Sequence, residues 1–192
     1  MKLVLASASP RRCEILKNAG YEFDVCPAQI DEAIGKTSPS EAVCKLSKNK
    51  AIAVFESLEN KENVAVLGSD TIVVLDGEIL GKPKNEAEAV SMLTCLSGKK
   101  HKVYTGVCVV TQSKTMSFFD CTTVEFYSLS DTQIKAYVKT GEPMDKAGSY
   151  GIQGKGSMLV KSINGDFFSV MGLPIAKTAK ALREVGVKGL IY

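Results

Sequence analysis

Four side chains near the start of the chain could together bind an anion: Ser7, Ser9, Arg11 and Arg12. They follow a short apolar run typical of a buried strand, and Pro10 has the fixed φ that suits the first turn of a helix. The positive end of a helix attracts anions, and arginine binds phosphate through paired hydrogen bonds. The stretch therefore predicts a phosphate site. The alternative is that Ser9 only caps the helix and the arginines are solvated.

Two carboxylates are candidates for acid–base or metal chemistry. Asp70 lies within a largely apolar β-region, where a carboxylate is costly unless it has a partner. It is either a buried, hydrogen-bonded acid or a metal ligand or general base, and the sequence leaves both interpretations open. Glu32 follows another apolar stretch. Oxygen ligands opposite basic side chains are what a Mg²⁺-assisted reaction of a polyphosphate needs.

Three lysines complete the set of groups that could bind phosphate. Lys82 lies in Gly81-Lys82-Pro83, and Lys146 lies in a long loop over 142–156 that has four glycines within nine residues. Glycines at that density indicate backbone that must approach another group closely, so we expect an ordered, functional loop. For Lys50, as for Lys45 and Lys48, a solvated helix face is the default interpretation.

The elements that must position these residues follow from periodicity and turn signals. An apolar run at Leu3–Leu5, alternation over 21–27, and β-rich stretches over 101–111 and 115–129 predict strands. A short buried strand is predicted over 64–67, the apolar chain continues over 72–75, and Asp76-Gly77 predicts a hairpin after it. Asn164-Gly165 predicts a second hairpin between 157–163 and 166–170. Helices are predicted after Pro10, Ser38, Asn85, Ser130 and Pro174.

Composition limits the class of protein. The chain has 192 residues, 45% of them hydrophobic, and a net charge of +3, which is too small to indicate nucleic-acid binding. No apolar run reaches membrane-spanning length, and the sequence enters structure without a leader, so we expect a cytoplasmic protein without a membrane partner. The six cysteines form no Cys-x-x-Cys pair and only His101 could join them, so we expect neither a zinc site nor disulfides.

Two common phosphate-binding motifs are absent: the sequence has no G-x-x-x-x-G-K-[ST] loop and no G-x-G-x-x-G after a strand. Instead, five ordered blocks resemble the Maf family, also called septum formation inhibitor proteins. The blocks are Ala6-Ser7-Ala8-Ser9-Pro10-Arg11-Arg12, Gly68-Ser69-Asp70-Thr71, Gly81-Lys82-Pro83, the stretch from Asp145 to Gly154 (DKAGSYGIQG), and Val170-Met171-Gly172-Leu173-Pro174. The resemblance covers essentially the whole chain.

The resemblance implies a nucleoside triphosphate pyrophosphatase of the dTTP/UTP branch, which cleaves between the α and β phosphates. It implies an α/β fold similar to the inosine triphosphatases, with a long, twisted mixed sheet, flanking helices and two lobes about a cleft, in a single domain over 1–192. It also implies a divalent ion, Mg²⁺ or Mn²⁺, and suggests a homodimer.

By the same resemblance, Asp70 is the proton acceptor, and Glu32 and Asp70 hold the metal. Arg11, Thr71 and Gln153 set the choice of substrate. Six residues are expected to bind phosphate: Ser7, Ser9, Arg12, Lys50, Lys82 and Lys146.

Gln153 suits a pyrimidine because its amide offers one acceptor and one donor group to the edge of uracil or thymine. A 7-methyl-GTP branch of the resembled family has Trp where this chain has Arg11 and Glu where it has Gln153. The alternative for Gln153 is a side chain that only holds its own loop. Two other functions stay open: a nucleotide-binding regulator of cell division, and a phosphatase or nucleic-acid-binding protein that uses the same basic groups.

Overall fold

The computed structural model describes residues 1–31 and 37–191. Its strands are β1 (Lys2–Leu5), β2 (Phe23–Val25), β3 (Val64–Leu75), β4 (Glu78–Leu80), β5 (Lys100–Val110), β6 (Thr115–Phe126) and β7 (Val160–Asn164). Its α-helices are α1 (Pro10–Asn18), α2 (Pro39–Ser57), α3 (Glu86–Leu96), α4 (Asp131–Val138), α5 (Phe167–Met171) and α6 (Ile175–Glu184). Three short 3₁₀ helices lie between α4 and β7: Glu142–Asp145, Ala147–Ser149 and Gly154–Leu159.

The strands form one mixed sheet in the order β2-β1-β3-β5-β6-β7, with β4 paired to β3. β1 lies parallel to both β2 and β3, with Leu3 opposite Phe23 on one side and Ala65 on the other. β4 and β7 are antiparallel to β3 and β6 respectively. The predicted fold class, mixed α/β with helices flanking a mixed sheet, is confirmed.

The chain divides into two compact units, which are described separately. The first comprises Met1–Asp70, Thr105–Asp120 and Gly172–Tyr192, and the second comprises Thr71–Tyr104 and Cys121–Met171. That residues 1–192 form a single domain stays a prediction.

The core of the first unit packs α2 against three strands of the sheet. Val4, Val66 and Cys108 contribute from β1, β3 and β5, and Ala51 and Val54 contribute from α2. Burying these apolar side chains on one helix face is the main stabilisation of such a layer.

The core of the second unit joins strand residues to α3 and α4. Val103, Val124 and Phe126 pack with Leu93 of α3 and Ile134 of α4. His101 is buried among them, with its ring in edge contact with Phe126.

Three of the predicted helix starts, those of α2, α3 and α4, are confirmed by capping contacts. Ser38 and Glu41 form the reciprocal capping box of α2, and Ser130 and Gln133 form that of α4. The Asn85 side chain accepts a hydrogen bond from the Glu88 N–H at the start of α3.

The hairpin predicted at Asn164-Gly165 is wrong, whereas the one at Asp76-Gly77 is confirmed. A type I′ turn needs positive φ at both central residues. Asp76 and Gly77 have φ of 51° and 90°, but only Gly165 is positive at the second turn. The Asp166 carboxylate instead accepts hydrogen bonds from the N–H groups of Phe168 and Ser169, so the chain starts α5 after β7.

Within residues 1–31 and 37–191, no helix combines the length and the apolar character that a membrane span requires.

Candidate active site

The loop between β1 and α1 is organised by the Ser7 hydroxyl. Its Oγ accepts hydrogen bonds from Arg12 Nη1 at 3.0 Å and from the Ser9 N–H at 3.2 Å. Ser9 occupies the cap position of α1, but its side chain makes no capping hydrogen bond. The alternative in which Ser9 only caps the helix is therefore not observed. Arg11 is half-buried at the same helix end.

Arg12 is held by the backbone of a distant segment. Its Nε donates to the Gly172 carbonyl at 2.8 Å, and the residue is only 9% exposed. Ser69 Oγ lies 2.9 Å from the same carbonyl and 3.0 Å from that of Gly106. The sequence did not reveal the roles of Ser69 and Gly172. Each lies in one of the blocks that carry the family resemblance, Ser69 beside Asp70 and Gly172 in Val170–Pro174, where its φ is 114°.

Asp70 and Lys50 form a buried ion pair. Lys50 Nζ lies 2.6 Å from Asp70 Oδ1, and both side chains are 11% exposed. The solvated-face interpretation is thus wrong for Lys50, although it is right for Lys45 and Lys48, which are exposed. The ammonium offsets part of the free energy that the carboxylate loses when it is removed from water.

Two glycines let α2 lie close enough for this pairing. A Cβ added at Gly68 would lie 2.2 Å from the Ser47 carbonyl oxygen, and one at Gly106 would lie 2.2 Å from the Val43 carbonyl oxygen. Contact this close allows only glycine on the strands. It brings Lys50, one turn beyond Ser47, to Asp70, two residues beyond Gly68.

In the second unit, the Lys82 turn is tied to the glycine-rich loop. The Gly148 N–H donates to the Gly81 carbonyl at 3.0 Å. The Lys82 side chain is exposed, and its ammonium has no hydrogen bond or ion pair with any residue of 1–31 or 37–191. Thr71, in β3, is half-buried.

Lys146 and Gln153 differ in how they are held. Lys146 Nζ donates to the Glu142 carbonyl and to Asp145 Oδ1, both at 2.6 Å. Gln153 is half-buried, and its amide makes no hydrogen bond with the part of the chain that the structure describes. The amide therefore does not hold its own loop. That task belongs to Glu142, which sequence reasoning missed because two of the three donors to its carboxylate are backbone N–H groups.

Glu32, the second predicted metal ligand, lies outside the described residues. Among those that are described, no cluster of three or more His, Cys, Asp and Glu side chains could hold a metal ion. Asp70 fits a nucleotide-bound ion, because its Oδ2 accepts no hydrogen bond from any described residue. Mg²⁺ needs only one or two protein carboxylates and takes its other ligands from water and phosphate.

The sequence is similar to those of known proteins over nearly its whole length. The family model described as Maf-like protein matches residues 2–185. The dTTP/UTP pyrophosphatase of Bacillus thuringiensis subsp. konkukian (strain 97-27) is 50% identical over 187 residues, covering 97% of this chain and 96% of that protein. The dTTP/UTP pyrophosphatase of Bacillus mycoides (strain KBAB4) is 51% identical over 184 residues, covering 95% of each.

Among solved structures, the chain is similar to a nucleoside-triphosphatase, or dITP/XTP pyrophosphatase, from Mycobacterium abscessus. The two share 12% sequence identity and a TM-score of 0.45, over 95% of each chain.

Proposed function

This chain belongs to the Maf family, and we propose from that premise how its residues divide the work of hydrolysing a nucleotide. The protein is a nucleoside triphosphate pyrophosphatase that converts dTTP and UTP to the monophosphate and pyrophosphate. The observation that carries this function is sequence identity of 50% and 51%, over nearly the full length, to proteins named dTTP/UTP pyrophosphatase.

Asp70 is the general base in this proposal. It takes a proton from water as the water oxygen attacks the α phosphorus, and the bond from that phosphorus to the α–β bridging oxygen breaks, so that pyrophosphate leaves with the electrons of the broken bond. The support is a carboxylate that is buried, paired with the Lys50 ammonium, and has one oxygen unused by the described protein groups.

A divalent ion, Mg²⁺ or Mn²⁺, would be held by Asp70 together with Glu32 and the phosphate oxygens. When bound, such an ion neutralises the triphosphate and makes an attacking water more acidic.

The cationic side chains would bind the triphosphate and the leaving pyrophosphate. Lys82 is the strongest candidate because its ammonium is exposed and uncommitted among the described residues. Arg12 and Lys146 are already oriented by backbone carbonyls, which fixes where their charges lie. The Ser7 and Ser9 hydroxyls would contribute at the start of α1.

Lys50 would also stabilise a bound phosphate, because its ammonium lies beside Asp70 and carries a positive charge.

Base selection is assigned to Gln153, with Arg11 and Thr71. The amide of Gln153 is half-buried and not engaged by any described residue, so it can pair with the donor and acceptor edge of uracil or thymine. A carboxylate at this position accepts only, which suits the adjacent donors of guanine better.

A panel of nucleotides tests the assignment. With dTTP, UTP, GTP and 7-methyl-GTP, we expect equimolar monophosphate and pyrophosphate, with dTTP and UTP preferred, and we expect Gln153→Glu to reduce that preference. Wild-type preference for a guanine nucleotide would overturn the pyrimidine assignment. Binding without hydrolysis would instead support a regulatory nucleotide-binding protein.

The finer expectations on location and partners are proposals as well. We propose a cytoplasmic homodimer that binds neither membrane nor nucleic acid. Light scattering after gel filtration at micromolar concentration tests the dimer, and a monomeric mass would refute it.

A further inference from the structure

We propose that Glu142 is a positioning residue for base selection: together with Tyr137, its carboxylate fixes the backbone on both sides of Gln153. The inference deepens the proposed function and depends on the assignment of Gln153 to the base.

The Glu142 carboxylate holds the chain beyond Gln153. Oε1 accepts a hydrogen bond from the Gly156 N–H at 3.0 Å, and Oε2 accepts one from the Lys155 N–H at 3.1 Å. Both donors lie within three residues of Gln153, but they are 13 and 14 residues away from Glu142 along the chain. The contact is therefore a tertiary clamp and not a local turn.

Tyr137 of α4 holds the chain before Gln153. Its hydroxyl accepts a hydrogen bond from the Gly151 N–H at 3.1 Å and donates its own proton to Glu142 Oε1 at 3.0 Å. The Tyr137 ring belongs to the buried core of the second unit. The clamp is thereby anchored to α4 through a side chain that has little freedom to move.

The loop passes close to both side chains, and this explains two of its glycines. A Cβ added at Gly154, where φ is +64°, would lie 3.0 Å from Glu142 Oε2. A Cβ added at Gly156 would lie 2.7 Å from the Tyr137 hydroxyl and 2.1 Å from the Gly151 carbonyl oxygen. Between these fixed points Gln153 has extended backbone, and its amide is not engaged by any described group. The clamp thus orders the backbone while leaving the amide available for a ligand.

The chemistry of the clamp requires a carboxylate. Its oxygens accept three hydrogen bonds at once, two of them from backbone N–H groups. Glutamine has almost the same shape, but its NH₂ would face one of those N–H donors. Burial alone would raise the pKa of the Glu142 carboxyl. The hydrogen bonds from Gly156, Lys155 and Tyr137 outweigh that effect and lower the pKa, so the group is ionised at neutral pH.

The clamp and the proposed phosphate-binding Lys146 both contact Glu142, but they contact different groups of that residue. Lys146 Nζ donates to the backbone carbonyl of Glu142, and it acts on the carboxylate only through its charge, which helps to lower the Glu142 pKa. Substitution of the Glu142 side chain therefore leaves the Lys146 hydrogen bond available, and its effect should be larger on the base than on the phosphates.

The test compares Glu142→Gln and Tyr137→Phe with wild type, with Glu41→Gln as the matched control. Glu41 also accepts a backbone N–H through its carboxylate, but it does so in the capping box of α2. Two quantities are measured on the full chain: amide hydrogen exchange at Gly151, Lys155 and Gly156, and the ratio of kcat/KM for dTTP to that for GTP.

We expect faster exchange at Lys155 and Gly156 in Glu142→Gln and at Gly151 in Tyr137→Phe. We also expect about a tenfold fall in the dTTP-to-GTP ratio in each, mainly through a higher KM for dTTP, since each loses a charge-assisted or buried hydrogen bond. Glu41→Gln should leave the ratio unchanged.

The possible failures differ. A wild-type enzyme without preference for dTTP over GTP overturns the proposed function and the role of the clamp with it. A wild-type preference that both variants retain overturns the clamp alone. Equal losses with dTTP and GTP would also overturn it, because they would make Glu142 a general structural residue.

Discussion

Lowering the pH from 7 to 5 is expected to destabilise the protein by about 2 kcal/mol through His101 alone. His101 is 2% exposed, its Nε2 lies 2.8 Å from the Tyr150 hydroxyl, and its Nδ1 is buried with no partner among the described residues. Burial lowers the pKa of this imidazole from 6.5 to about 4. The full depression corresponds to about 3 kcal/mol, since one pKa unit is worth about 1.4 kcal/mol.

The sign follows from proton uptake. Between pH 6.5 and 4 the unfolded chain binds a proton at His101 that the folded chain does not bind. The free energy of unfolding is therefore unaffected by His101 above pH 6.5, and it falls as the pH drops through that window.

Urea denaturation at pH 7 and pH 5 measures the effect, and His101→Gln serves as the comparison because carboxylates titrate near the lower pH too. We expect the loss of stability on acidification to be about 2 kcal/mol larger in wild type than in the variant. His101 is the only histidine, so its ring protons can also be followed individually by NMR. An imidazole that titrates near pH 6.5 in the folded protein would refute the reasoning.

Three further predictions concern the lysines and glycines of the site. Lys82→Ala should lower kcat/KM for dTTP by about 100-fold without changing Tm, because it removes charge stabilisation only. The control is Lys84→Ala, at another exposed lysine, and equal activity of the two variants would contradict the prediction. Lys50→Met should cost about 3–5 kcal/mol in urea denaturation, since it leaves a buried carboxylate without its cation, and a loss below about 1 kcal/mol, the range of exposed pairs, would contradict the buried pair. Gly68→Ala should lower the free energy of unfolding by about 1–3 kcal/mol or more through overpacking. Gly81→Ala should not lower it, because no atom lies within 4 Å of the added Cβ. Equal stabilities of the two variants would refute the close approach of Gly68 to α2.

The local elements could be predicted because each has its signal within a few neighbouring residues. The capping boxes and the Asp76-Gly77 turn depend on contacts between residues close in sequence, and the strand before Ser7 is marked by its own apolar run. The second hairpin failed for a related reason. Asn164-Gly165 is followed by Asp166, whose side chain caps α5, so the chain enters a helix and not the second strand of a hairpin.

The sequence contains a signal for the buried position of Lys50. Lys50 is seven residues from Val43 and four from Val54, so helical spacing puts it on the buried stripe of α2. A lysine on such a stripe requires an acidic partner. Asp70 was the acid already suspected of being buried.

Other site contacts could not be predicted, because they join side chains to distant backbone groups. Arg12 donates to a carbonyl 160 residues away, and Glu142 accepts from two N–H groups of the glycine-rich loop. Backbone donors and acceptors are the same at every residue, so no residue type marks these partners. Only the folded chain identifies them.

The central claim is that Asp70 acts as the base for dTTP hydrolysis, and the turnover of Asp70→Asn measures this most directly. Asparagine keeps the shape of the side chain and removes its basicity. With Mg²⁺ present, we expect pyrophosphate release from dTTP to fall by at least about 100-fold, as for loss of a general base, while dTTP still binds the folded variant. Near-wild-type release of pyrophosphate by Asp70→Asn would contradict the claim.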